Sequence, residues 1–142
     1  LVPQALQSMI EALEFDPKAD FAYSDFYWGD RLFRGRSFDA IALRERNYIH
    51  TSSLLRRAVF PGFDERLKRF QDWDLWLTLT SRGFRGVWID QPLFRIEPRR
   101  DGISQWLPRI AYRIPWQRLG WEPEAVRRHR EAREVIVKKH GL

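Results

Sequence analysis

Cysteine is absent from all 142 residues, which removes disulfides, thiol catalysis and thiolate metal ligation together. Histidine is scarce: only His50, His129 and His140 occur, so an all-histidine metal centre is not expected. No apolar run approaches the ~18 residues that a membrane-crossing helix needs. Leu1 to Leu13 lack a basic region followed by an apolar core, which argues against a signal peptide. The chain opens without an initiator Met, and a processed or trimmed start is expected. A glycine-rich phosphate loop with its strand–turn–helix setting is also missing.

Aromatic side chains are what the chain has in plenty. They make up 15% of it, with seven Trp, inside an ordinary hydrophobic content of 44%. That is too apolar for disorder, and the length suits one domain or part of one. Large rings fill cores, but Trp and Tyr also collect at interfaces and sugar sites, where one edge is apolar and the other wet. The net charge of +6 is local. Residues 1–98 carry 14 basic and 14 acidic side chains; residues 99–142 carry 11 and 5. Arg outnumbers Lys 21 to 4, a bias that suits bidentate phosphate contact and also follows from genome composition.

Local signals predict a mixed α/β chain. Pro3 to Leu13 reads as an amphipathic helix with Ala5, Leu6, Met9, Ile10 and Leu13 on one side. Phe21 to Trp28 reads as an aromatic strand, and Gly29-Asp30 and Gly35 as the loop or hairpin after it. Tyr48 to Leu55 is a second strand candidate, with a short helix as the alternative for its end, and Phe60-Pro-Gly-Phe63 is a turn. A helix is expected from about Asp72 to Arg82, stopped by Gly83. Gly86 to Ile96 reads as a strand whose Pro92 marks an edge or bend. Ile103, Trp106, Leu107, Ile110, Ala111 and Ile114 make a helical stripe, and a basic helix from about Pro123 to His140 ends at Gly141. The predicted organisation is residues 1–102 as one unit and 103–142 as a basic amphipathic helical tail.

The most informative stretch is Phe63 to Leu77. Asp72 and Asp74 stand at the start of an apolar helical run in which Trp73, Trp76 and Leu77 fall at i, i+3 and i+4. Backbone N–H groups at a helix start hold a carboxylate in place and keep it ionised. Such a carboxylate serves equally as a general base or as a plain helix cap. Other candidates for contact with a substrate are Asp25 at a strand end and His50 with Thr51, Ser52 and Ser53 in a polar segment. Trp73 reads as core or as a sugar-stacking ring, and Asp74 as a solvated first-turn acid or a secondary substrate contact.

Several motifs in order carry a resemblance. They are Phe21-Ala-Tyr-Ser-Asp25, Ile49-His-Thr-Ser-Ser-Leu-Leu-Arg-Arg57, Phe60-Pro-Gly-Phe-Asp-Glu65, Gln71-Asp-Trp-Asp-Leu-Trp-Leu77, Gly83 and Pro92-Leu-Phe-Arg95. Together they resemble the second half of a family 2 glycosyltransferase with the GT-A fold, over roughly residues 1 to 105. The resemblance implies an α/β fold: the C-terminal part of a GT-A domain, a small mixed sheet with flanking helices and a C-terminal helical tail. It implies transfer of a sugar, with inversion, from a nucleotide-diphospho-sugar to an acceptor hydroxyl on a glycan or a lipid-linked acceptor. Gln71-Asp72 stands where the family has its acidic pair, which makes Asp72 the implied catalytic base.

The family's metal-binding Asp-x-Asp and its uridine-binding half would precede this chain. Mg²⁺ or Mn²⁺ is therefore implied for a full-length enzyme, and the chain alone is expected to be inactive. Many relatives carry a His shortly after the Arg matched by Arg95; here the sequence runs Arg95-Ile-Glu-Pro-Arg-Arg-Asp101. Glu97 is the substitute metal ligand that this suggests, with Arg99 and Arg100 as direct phosphate contacts. The implied location is cytoplasmic, with peripheral contact to an anionic membrane through the Trp- and Arg-rich tail. Competing readings are a non-catalytic interaction module derived from a transferase and a basic nucleic-acid-binding module; nucleic acid is not the expected partner, because the stripe in the basic tail is apolar.

Overall fold

A computed structural model describes residues 3–97, 114–116 and 120–142. The elements run α1 (Ala5–Phe15), β1 (Phe21–Trp28), β2 (Arg31–Phe33), α2 (Ala40–Glu45), β3 (Leu54–Leu55), a 3-10 turn (Arg57–Val59), α3 (Gln71–Ser81), β4 (Gly86–Ile96) and α4 (Glu124–His140). This is mixed α/β, a small open sheet with flanking helices. The predicted stripe from Ile103 to Ala111 lies outside the described residues, as do Arg99 and Arg100.

Strand β1 organises the sheet. β4 runs parallel to it along its whole length, from Phe21 opposite Gly86 to Trp28 opposite Ile96. A strand has two edges, so the antiparallel partners share the other one. β2 takes Phe26 to Trp28, and β3 takes Phe21 and Ala22. Pro92 cannot donate to the ladder, and the register shifts there: Ser24 faces Ile89, Asp25 faces Pro92, and Phe26 faces Phe94.

Successive side chains of β1 point to opposite faces. Phe21 and Tyr23 join Trp73, Trp76, Leu77 and Leu79 of α3 in one buried cluster. Ala22 joins Ala5, Met9 and Leu13 of α1 in the other. Leu6 and Ile10, expected on the buried stripe of α1, are 58% and 37% exposed. Gly86 sits so close under β1 that a Cβ there would lie 2.3 Å from the Phe21 ring.

The last helix packs on the rest of the chain. Ile136 is fully buried in the cluster that α3 forms with the sheet, and Leu142 packs against that cluster. Burying one such side chain contributes about 1.5–3 kcal/mol. The boundary expected between residues 102 and 103 therefore leaves α4 and the sheet sharing one core. Gly141 ends α4 in the left-handed conformation, at φ 62°, as the sequence predicts.

Candidate functional site

Helix α3 starts one residue before the expected position, and its first turn has no side-chain cap. Phe70 precedes it in the left-handed conformation (φ 60°, ψ 26°), the one described residue other than glycine with positive φ. That conformation is costly for a bulky residue. The ring is held by Trp73 at 5.9 Å and His129 at 5.1 Å, both edge-on.

Side chains at 72 and 76 share a flank of a helix, and 70 and 74 lie nearly opposite. That geometry sorts the site. Asp72 and Trp76 face the segment after α2: the Asn47 side-chain amide donates to Asp72 Oδ2 at 2.9 Å, and the Trp76 indole donates to the Ile49 carbonyl at 3.0 Å. The Trp73 backbone N–H donates to Asp72 Oδ1 at 2.9 Å. Asp72 is half-buried. Burial pushes its carboxyl above the usual carboxylate range, against the opposing hydrogen bonds from the Trp73 N–H, its own N–H and Asn47.

Asp74 is neither solvated nor available to a substrate. It is 5% exposed, because α4 closes over that flank. His140 Nε2 lies 2.7 Å from its Oδ1, and Lys139 Nζ donates to its Oδ2 at 2.9 Å. Lys139 also donates to Asp64 at 2.9 Å, and Asp64 takes two further hydrogen bonds from the Arg66 guanidinium. These charges latch the end of α4 onto the start of α3.

Trp73 is corrected from a sugar-stacking candidate to a core residue. It is 3% exposed, and its indole N–H donates to the Leu43 carbonyl at 2.7 Å. Asp25 does not end its strand. It sits at the β1–β4 irregularity, 2% exposed, and Oδ1 accepts from the Gly35 N–H at 2.7 Å and the Trp88 indole at 2.9 Å. Those internal donors fix it as a structural carboxylate that closes the loop after β2. Arg95 clamps the β1–β2 turn: its guanidinium bonds the Gly29 carbonyl and Asp30, and lies 4.6 Å above the Tyr27 ring. Glu97 is exposed. Among the described residues no three His, Asp or Glu groups come together as a metal site would require.

His50 and Ser52 are close, but they face away from Asp72. The segment passes the sheet edge, and Ile49 joins the α3 cluster while the His50 ring packs between Phe26 and Phe94, at 5.0 and 5.1 Å. The Ser52 N–H donates to His50 Nδ1 at 3.0 Å, so the neutral ring carries its proton on Nε2. Burial pushes His50 below the ordinary histidine value. The expected polar pocket of His50 and Ser52 therefore lies on the α1 side of the sheet, and Asp72 on the α3 side.

The residue that sequence reasoning missed is Asn47. The only local signal was an amide residue following charged Arg44, Glu45 and Arg46. Two grooves form against α4. One, of about 1160 Å³, runs beside Arg66 to Arg69; the other, of about 360 Å³, lies between α2 and the end of α4. Asp72 lines neither. The basic excess of α4 is largely matched: Arg127, Arg128 and Arg130 pair with Glu131, Glu124 and Glu134, and Arg133 lies over the Trp73 ring. No protein-family model matches the chain, and no curated protein matches it either.

Proposed function

We propose that this chain is the acceptor-side part of an inverting glycosyltransferase of the GT-A type, in which Asp72 takes the proton of the acceptor hydroxyl. One observation carries the reading. A half-buried carboxylate, raised above its ordinary pKa by burial, stands in the first turn of α3 on the flank away from α4, facing the segment after α2. A sugar hydroxyl is a poor nucleophile until a base removes its proton in the transition state, and a base works best with a pKa moved toward the working pH. The ordered motifs from Phe21 to Arg95 support the same assignment.

The donor on this reading is a nucleotide-diphospho-sugar held mainly by residues outside this chain. Mg²⁺ or Mn²⁺ would supply charge neutralisation for the departing diphosphate. Among the described residues no group of three His, Asp or Glu side chains gathers at Glu97, and no step here runs through an ion. No described helix is long and apolar enough to cross a membrane. A cytoplasmic site with peripheral contact to an anionic bilayer fits Trp121, which is 65% exposed.

A second reading, a non-catalytic interaction module, is favoured by the internal hydrogen bond on each Asp72 oxygen and by its absence from both α4 grooves. The nucleic-acid reading is weakened by the ion pairing within α4. The deciding experiment is sugar transfer by an intact protein containing this chain, with Asp72→Asn beside wild type. The catalytic reading expects a rate loss on the order of 10²–10⁴ with donor binding retained. An unchanged rate removes Asp72 from the chemistry and leaves the scaffold reading.

A further inference from the structure

The segment between α2 and β3 touches α3 through two polar contacts, and they fall on the same flank one turn apart. Trp76 donates its indole N–H to the Ile49 carbonyl, and Asn47 donates its amide to Asp72. The Asn47 side chain has no freedom to reverse. Its Oδ1 accepts the Ile49 N–H at 3.1 Å, which turns its NH₂ group toward Asp72. Ile49 is 2% exposed and Trp76 1%, so the frame that aims this amide belongs to the core.

We propose that Asn47 is the positioning residue for Asp72: its oriented amide holds the carboxylate in one rotamer and supports its ionised form. The proposal rests on Asp72 being the base, but the contact itself can be tested without that. Asn47 brings a side-chain donor to one oxygen of this carboxylate, and the Trp73 N–H stands on the other. A fixed donor on each oxygen leaves the remaining lone pairs with a defined direction in which to receive a proton. Burial acts on Asp72 in the opposite sense, so removing either donor shifts the balance toward the protonated acid.

The test follows the Asp72 side-chain carboxyl by carbon NMR through a pH titration of the 142-residue chain, with Asp72→Asn identifying the signal. Asn47→Ala should move the titration to higher pH by about one unit, the size expected for one lost hydrogen bond to a charge. Asn47→Asp is the second variant. It keeps the shape and the acceptor for the Ile49 N–H, so the fold is retained. It sets a carboxylate beside Asp72 and should move the titration further. In the intact transferase the same variants should lower kcat, leave the donor KM unchanged and carry the acid limb of the pH–rate profile upward with the NMR shift. An Asp72 titration that stays at its wild-type pH in folded Asn47→Asp overturns the proposal. A shifted titration in a protein whose rate ignores Asp72→Asn upholds the contact and sinks only the catalytic reading.

Discussion

His140 Nε2 and Asp74 Oδ1 meet at 2.7 Å, although 66 residues separate them in the chain. With Lys139 bridging Asp74 and Asp64, this contact joins the end of α4 to the start of α3 and the turn before it. Asp74→Ala would take the partner from His140 and leave Lys139 with Asp64 alone. Losing hydrogen bonds to a charged group costs about 1.5–3 kcal/mol. Urea unfolding should show a loss of that size, and loss of α4 protection in hydrogen exchange should accompany it; a change below about 0.5 kcal/mol would mean that the latch contributes nothing.

The same cluster sets a pH window. Hydrogen bonds from Arg66 and Lys139 hold the Asp64 carboxyl well below the usual carboxylate range. That contribution is present above the ordinary Asp value and is lost as pH falls through the depressed one. Burial lowers the Lys139 ammonium, but hydrogen bonds to Asp74 and Asp64 outweigh it and raise the group above the ordinary Lys value. Its contribution is present below that value and is lost as pH rises through the raised one. Melting temperature measured from about pH 2 to 11 should fall at both ends, and Lys139→Met should flatten both limbs.

Asp72 shows the reverse sign. Its carboxyl is raised in the folded chain, so its contribution is largest below the unfolded value and is lost as pH climbs through the folded one. Asp72→Asn should therefore leave stability at pH 7 unchanged or increased, and should remove this residue's share of the pH dependence above the ordinary Asp value. Parallel melts of the two proteins between about pH 4 and 8 check this; a lower melting temperature for Asp72→Asn at neutral pH contradicts it.

Asp25→Ala strips the acceptor from two donors at once, the Gly35 N–H and the Trp88 indole. Leaving a buried donor unpaired costs about 1–3 kcal/mol. The expected result is a destabilised chain with a loosened loop after β2. If stability holds while sugar binding disappears, Asp25 belongs with the substrate contacts after all.

Gly86→Ala forces a methyl against the Phe21 and Tyr23 rings, at 2.3 and 2.8 Å before relaxation. Overpacking of that kind costs about 1–3 kcal/mol. Unaltered stability would mean that β4 can slide away from β1 to accept the methyl group.

Much of the fold was legible locally. Phe21 to Trp28 and Gly86 to Ile96 have the bounds the sequence predicts, and Gly83 and Gly141 end their helices with positive φ. Helix α2 was missed because it has only six residues. Its signal was Asp39, which accepts hydrogen bonds from the Ile41 and Ala42 N–H groups. The strand expected over Tyr48 to Leu55 shrinks to Leu54 and Leu55. The β1–β2 hairpin folds straight back onto the shared edge and occupies its far end, so only the start of β1 remains for β3.

The sequence by itself determined the elements, because apolar spacing, glycine and proline act within a few residues of themselves. It also placed an acidic residue in the first turn of α3. Only the tertiary structure decided which acid faces what. Asp72 and Asp74 differ by two positions and look alike in the sequence, yet about 200° of helical turn aims one at Asn47 and the other at Lys139 and His140. Those partners lie 25 and about 65 residues away, and contacts at that separation leave no periodic trace in the chain.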